Sequence, residues 1–127
     1  MSNSLWPNFS TLTPPRGLRE MLHDAAGDID TQTNGAIQFY VDTLGVSGTV
    51  RQVRHNCYLR VPKTEYNHLL FQVSTPVPGP WPATATTPEG ERFADIQDEN
   101  QLRAAIQQIL QRERTKEIVL YLLGTVS

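Results

Sequence analysis

The stretch TVRQVRHNCYLRV, residues 49–61, decides the fold because apolar and polar residues alternate along most of its length. Successive side chains of a β-strand point to opposite faces, so this pattern predicts a long strand that is buried on one side only. The face predicted to be buried carries Val53, His55, Cys57, Leu59 and Val61, and the face predicted to be open carries Gln52, Arg54, Asn56, Tyr58 and Arg60. Such one-sided burial is typical of an antiparallel sheet.

Two neighbouring stretches show the same period. The positions predicted to face the core are Ile37, Phe39 and Val41 in residues 36–44, and Leu69, Phe71 and Val73 in residues 68–75. This assignment places Leu70 on the open face. Residues 62–67 and the proline-rich segment 76–82 are predicted connections, and residues 83–87 and 92–96 are predicted short strands. The sequence therefore predicts an antiparallel meander sheet of four to five strands.

Helical spacing appears on both sides of these strands. Thr13 followed by Pro14 resembles a helix start, and apolar residues then recur every three or four positions until Asn34-Gly35 ends one long helix. Asp98, with Gln101 three residues later, predicts the N-cap of a second helix, and Thr115 is predicted to cap a third. The fold class predicted is α+β, with one N-terminal and two C-terminal helices packed on one face of the sheet.

The chain length of 127 residues fits one domain. We expect a flexible N-terminal arm over residues 1–13, anchored if at all by Trp6 and Phe9, and a single α+β domain over residues 14–127. Pro76 to Pro82 is either a stiff connector or a polyproline ligand, and the sequence leaves both open.

Composition excludes several classes of protein. A single cysteine, Cys57, cannot form an intramolecular disulfide or a cysteine-rich zinc site. The net charge of −2 disfavours nucleic-acid binding as the main role, because nucleic-acid-binding proteins usually carry a strongly basic patch. No apolar run is long enough for a membrane span, and residues 1–9 do not resemble a signal peptide. The expected location is the cytoplasm, with no membrane partner.

The chemically reactive side chains do not form a recognisable set. His55, Cys57 and His68 are the only combination suited to a metal or a thiol nucleophile, but His55 and Cys57 lie among apolar neighbours in a strand. The acidic pairs lie in predicted helix ends and turns, where carboxylates cap and solubilise. No phosphate-binding glycine loop is present. We therefore predict no catalytic residue, no metal and no cofactor.

One group of motifs suggests a relationship. A series of motifs resembles a group of small uncharacterised bacterial α+β proteins: Tyr66-x-x-Leu69-Leu70-Phe71, then Trp81-Pro82, then Leu102…Ile109-Leu110 with Thr115-Lys116-x-Ile118-Val119. The resemblance extends over residues 13–127. It implies a shared fold and a bacterial origin, and it implies no activity.

Tyrosine and arginine dominate the face predicted to be open. These residue types often contribute most of the energy of protein interfaces, because they combine a large area with hydrogen-bonding ends. We predict a non-catalytic protein-interaction or inhibitory domain of a bacterial cytoplasm, bound to a protein partner or to itself. The alternative is a small enzyme or ligand-binding domain with a pocket between sheet and helices. The predicted interaction face is Tyr40, Arg51, Arg54, Tyr58, Arg60, Tyr66 and Trp81.

Overall fold

A computed structural model of the protein describes residues 5–12, 16–46 and 52–126. The elements in chain order are α1 (Leu18–Ala26), α2 (Ile29–Gln32), β1 (Gln38–Val46), β2 (Gln52–Val61), β3 (Tyr66–Pro76), β4 (Ala83–Thr86), β5 (Arg92–Ile96), α3 (Glu99–Gln111) and α4 (Glu113–Gly124). The five strands form one antiparallel sheet in the order β1-β2-β3-β4-β5. The predicted α+β meander is confirmed.

The long central strand has the orientation that its alternation predicts. Cys57, Leu59 and Val61 of β2 are buried, and each lies across from an inward-facing residue of a neighbouring strand, as Leu59 does from Phe39. The inward side chains of β1 to β5 join those of α1, α3 and α4 in one hydrophobic core. α1 packs on β1 and α3, and α3 packs on α4 and β5. The helices therefore cover one face of the sheet.

A β-bulge between Cys57 and Tyr58 changes the orientation of the first half of β3. Cys57 pairs with Phe71 but Tyr58 pairs with Leu69, so Leu70 is an additional residue on β3. Leu70 is 1% exposed and belongs to the core, whereas Leu69 lies beside Tyr58 on the opposite face. The predicted orientation of these two leucines is wrong, because a bulge shifts the alternation of all residues on one side of it.

The N-terminal helix is shorter than its apolar stripe predicts. It begins at Leu18 rather than at Pro14, and residues 13–15 lie outside the described part of the chain. It also ends at Ala26, and α2 follows as a separate turn. At the break, a side chain on Gly27 would approach the His23 carbonyl oxygen to 2.5 Å, so a glycine is needed there. Asn34 and Gly35 both adopt positive φ, as predicted.

The C-terminal helices follow the predicted order with one difference. Asp98 accepts a hydrogen bond from the Gln101 N–H at 2.8 Å and is the N-cap of α3, as predicted. Thr115 does not cap α4, which begins at Glu113. Its buried hydroxyl donates to the Ile109 carbonyl at 2.6 Å and accepts from Arg112 at 2.9 Å. Thr115 therefore joins the two helices at their junction.

Candidate functional site: the open face of the sheet

The face of the sheet opposite the helices carries rows of side chains from adjacent strands. Residues that pair directly across an antiparallel ladder lie on the same face. The rows that β1 and β2 contribute are Gln38–Arg60, Tyr40–Tyr58, Asp42–Asn56 and Leu44–Arg54, and β3 adds Asn67, Leu69, Gln72 and Ser74 to them. Thr84 and Thr86 continue the rows on β4. We call this set the open face.

An aromatic pair lies in the middle of the open face. The ring centroids of Tyr40 and Tyr58 are 6.2 Å apart, with their planes tilted by 37°. This separation is within the range in which aromatic pairs attract each other beyond their area of contact. Tyr40 is nevertheless 38% exposed, and Leu44 on the same strand is 45% exposed. The centre of the open face therefore presents apolar area to solvent.

Asn56 is an unusual residue for a solvent-facing row. It is only 8% exposed, and its Oδ1 atom has no hydrogen-bond partner among the described residues. Its neighbours across the strands are Asp42 and Gln72. A buried carbonyl oxygen without a donor costs about 1–3 kcal/mol, so most buried polar groups are paired. The open face thus holds an acceptor that lacks its donor.

Two arginines lie at the ends of the β2 row. Arg54 and Arg60 are six residues apart on one strand, which corresponds to roughly 20 Å. Neither forms an ion pair with a carboxylate in the described part of the chain. Within β1 to β4 the one acidic residue is Asp42, although the chain carries 13 acidic residues. The open face is therefore more positive than the molecule as a whole, whose net charge is −2.

Strands β2 to β5 form a hollow on this face. It has a volume of about 340 Å³ and is lined by Gln52, Ser74 and Thr84, among others, with Arg92 of β5 at its margin. Its lining combines hydroxyls, an amide and a guanidinium with Pro76 and Pro82, so it offers both hydrogen-bonded and apolar contacts.

The structure places four of the seven predicted interaction residues on the open face. Tyr40, Arg54, Tyr58 and Arg60 lie there by register. Arg51 lies outside the described residues. The predicted set omits Asp42, Asn56 and Leu69. Alternation already places the first two on this face, but the burial of Asn56 depends on its cross-strand neighbours and leaves no signal in the sequence.

Tyr66 and Trp81 do not belong to the open face. Tyr66 pairs with the fully buried Val61 and lies on the helix-covered face, beside Tyr121 of α4. The bulge is the cause, because it shifts the orientation of every residue of β3 that precedes it. Trp81 is partly buried and packs against the hydrophobic core. Removing its large apolar ring from water in this way is favourable in free energy. The structure therefore places these two members of the predicted set away from the open face.

His55, Cys57 and His68 are separated by the sheet. His55 is buried, and its Nδ1 atom lies 2.9 Å from the Thr43 hydroxyl. His68 pairs with Leu59, four residues further along β2, which corresponds to roughly 13 Å. Burial lowers the pKa of both histidines, and burial raises the pKa of the Cys57 thiol. A fully buried, protonated thiol is a weak nucleophile.

Among the described residues, no group of three or more His, Cys, Asp or Glu side chains is arranged to hold a metal ion. None of the described helices has both the length and the apolar character that crossing a membrane requires. No family model matches the chain, and no curated protein or solved structure is significantly similar to it. The resemblance to a bacterial group stays a prediction.

Proposed function

We propose that the chain is a non-catalytic protein-interaction domain whose open face binds a carboxylate-bearing surface of another protein. The observation that carries the proposal is the apolar area that Tyr40 and Leu44 expose on a face whose arginines, Arg54 and Arg60, have no carboxylate partner among the described residues. A partner that covers this apolar area and places carboxylates against the two guanidinium groups would gain from both contacts.

The charges on this face suggest the chemistry of the partner. Arg54 and Arg60 flank the Tyr40–Tyr58 pair at roughly 20 Å from each other. A complementary surface has carboxylates at that separation, with an apolar contact between them. Arginine binds carboxylates well because its planar guanidinium can donate two parallel hydrogen bonds.

The same charges disfavour self-association through this face. In a symmetric dimer formed by two open faces, a two-fold axis across the strands places Arg54 of one copy over Arg60 of the other. An axis along β2 places each arginine over its own counterpart. Both arrangements bring like charges together, which costs free energy at an interface. A different protein is therefore the favoured partner, and the bacterial cytoplasm stays the expected setting.

The test is a binding titration with a matched charge control. Arg54→Glu/Arg60→Glu reverses both charges of the open face. Arg103→Glu/Lys116→Glu makes the same change in net charge at exposed positions of α3 and α4. Proteins from a bacterial lysate that the immobilised wild-type chain retains are purified. Their affinities for the wild-type chain, the open-face variant and the control variant are then measured by calorimetry.

We expect the open-face variant to weaken binding of the specific partner at least tenfold, and the control to change it less than twofold. Binding should also weaken as salt is raised, because the contact is partly electrostatic. If no retained protein distinguishes the two variants, the open face is not the binding site. Sedimentation of the wild type that shows a dimer abolished by Arg54→Glu/Arg60→Glu would replace the proposal with self-association.

A further inference from the structure

A cavity of about 340 Å³ lies between the sheet and the helices, on the face opposite the proposed interaction site. Its floor is a row of three apolar side chains, Phe39, Leu59 and Leu70, from adjacent strands. Each of the three is at most 7% exposed. Leu70 reaches this floor because the bulge turns it inward.

Breaks in the two helix pairs, α1–α2 and α3–α4, produce the cavity. α1 ends at Ala26 and α2 begins at Ile29, so one wall is interrupted near Gly27. The other wall is interrupted at Arg112, whose extended backbone separates α3 from α4. Because neither helix pair continues over the floor, no side chain of the described residues fills the space between the α1–α2 pair and the α3–α4 pair. The walls are apolar, with Ile29 on one side and Leu110 and Val119 on the other.

The polar groups of the cavity lie at its rim and differ in charge from the open face. Among the described residues, the one charged side chain that lines it is Asp28, whose Oδ2 accepts a hydrogen bond from the Gln32 amide at 2.9 Å. Gln111 lies on the other side of the rim. The buried Thr115 hydroxyl already has two partners and is not available. Because the Gln32 amide occupies Oδ2, the Oδ1 atom of Asp28 can accept a hydrogen bond from a ligand. The negative charge of this carboxylate disfavours a ligand that is an anion.

We infer that this cavity binds a small apolar molecule of one or two rings that carries a hydroxyl or ammonium group. Ligand sites are typically cavities of about 300–1,000 Å³ with apolar walls and a few polar groups that set orientation. An apolar cavity of about 150 Å³ takes benzene, so this one has room for a two-ring skeleton. The ring lies over Phe39, Leu59 and Leu70, and the donor points to Asp28.

The test uses three probes that share one ring system: 1-naphthylmethylamine, 1-naphthalenemethanol and 1-naphthoate. Their binding is followed by naphthalene fluorescence and by amide chemical shifts in NMR. The amine and the alcohol are expected to bind one to one with Kd of roughly 0.1–1 mM, a range set by the efficiency of ligands of this size. The naphthoate is expected to bind at least tenfold more weakly. Shifts should concentrate around Phe39, Leu59 and Leu70.

Two variants and one control separate the cavity from other sites. Val119→Phe fills the mouth and should weaken the amine and the alcohol at least tenfold, whereas Leu120→Phe changes the next residue of α4, which is 58% exposed and does not line the cavity. Asp28→Asn, at an exposed position, should weaken the amine selectively and narrow the difference between the amine and the naphthoate.

Equal affinity of the naphthoate and the amine for the wild-type chain would overturn the inference, and so would equal effects of Val119→Phe and Leu120→Phe. Amide chemical-shift changes centred on Tyr40 and Tyr58 would also overturn the inference. Loss of the open-face interaction leaves this result unaffected, because the two sites lie on opposite faces of the sheet.

Discussion

Truncation of Leu70 and of Leu69 tests the bulge that forms part of the cavity floor and that sets which residues of β3 lie on the open face. Leu70 is 1% exposed in the core, whereas Leu69 is partly buried on the open face. Leu70→Ala removes three carbon groups from the core, which at about 0.8 kcal/mol each costs about 2.4 kcal/mol for transfer alone. Incomplete collapse of the space left behind adds to this, so we expect a total of about 3 kcal/mol. Leu69→Ala should cost about 1 kcal/mol, since its side chain is partly in solvent in the folded state.

The assay is urea denaturation of the wild-type chain and both variants, followed by circular dichroism. An unchanged m-value shows that the difference in midpoint reports stability rather than a change in the denatured state. The two variants have the same composition, so each is the control for the other. If Leu69→Ala destabilises the chain as much as Leu70→Ala or more, strict alternation holds in β3. In that case Tyr66 returns to the open face, and the cavity loses part of its floor.

Three further predictions concern single groups. Burial lowers the pKa of His23, His55 and His68, so each binds a proton less readily in the folded chain than in the unfolded chain. The free energy of unfolding should therefore be highest above pH 6.5 and fall as the pH drops below that value. Equal melting temperatures at pH 7.5 and pH 5.5 would contradict this. Cys57 is fully buried and burial raises its pKa, so Ellman's reagent should modify it only after denaturation, and rapid modification of the folded chain would show that this site opens. Asp98→Ala should lower the free energy of unfolding by about 1 kcal/mol through loss of the α3 cap, whereas Asp98→Asn should cost far less; equal losses would mean that the cap contributes nothing.

Most of the fold follows from local patterns. The alternation in β1 and β2 identifies the buried side of each strand, and Asp98 marks the start of α3, because both signals depend on residues within a few positions of one another. The break at Gly27 was not predicted, since a glycine within an apolar stripe of helical spacing is often tolerated.

The candidate site was predicted in part. Tyr40, Arg54, Tyr58 and Arg60 follow from alternation alone, and they lie together on the open face. The orientation of Tyr66 does not follow from the sequence, because it depends on a bulge in the pairing of two strands and not on its own neighbours in sequence. Trp81 lies within the proline-rich connection of residues 76–82, where no hydrophobic period exists to indicate the direction of its side chain.

The sequence by itself determined the fold class, the order of the strands and the side of β2 that is buried, since hydrophobic period is a property of a single segment. Only the tertiary structure decided that Leu70 faces the core, that Asn56 is buried without a donor, and that a cavity lies beneath the broken helices. Each of these three features depends on which side chains from distant segments pack around a residue. Those neighbours come together only in the folded chain, so a single segment of sequence does not reveal them.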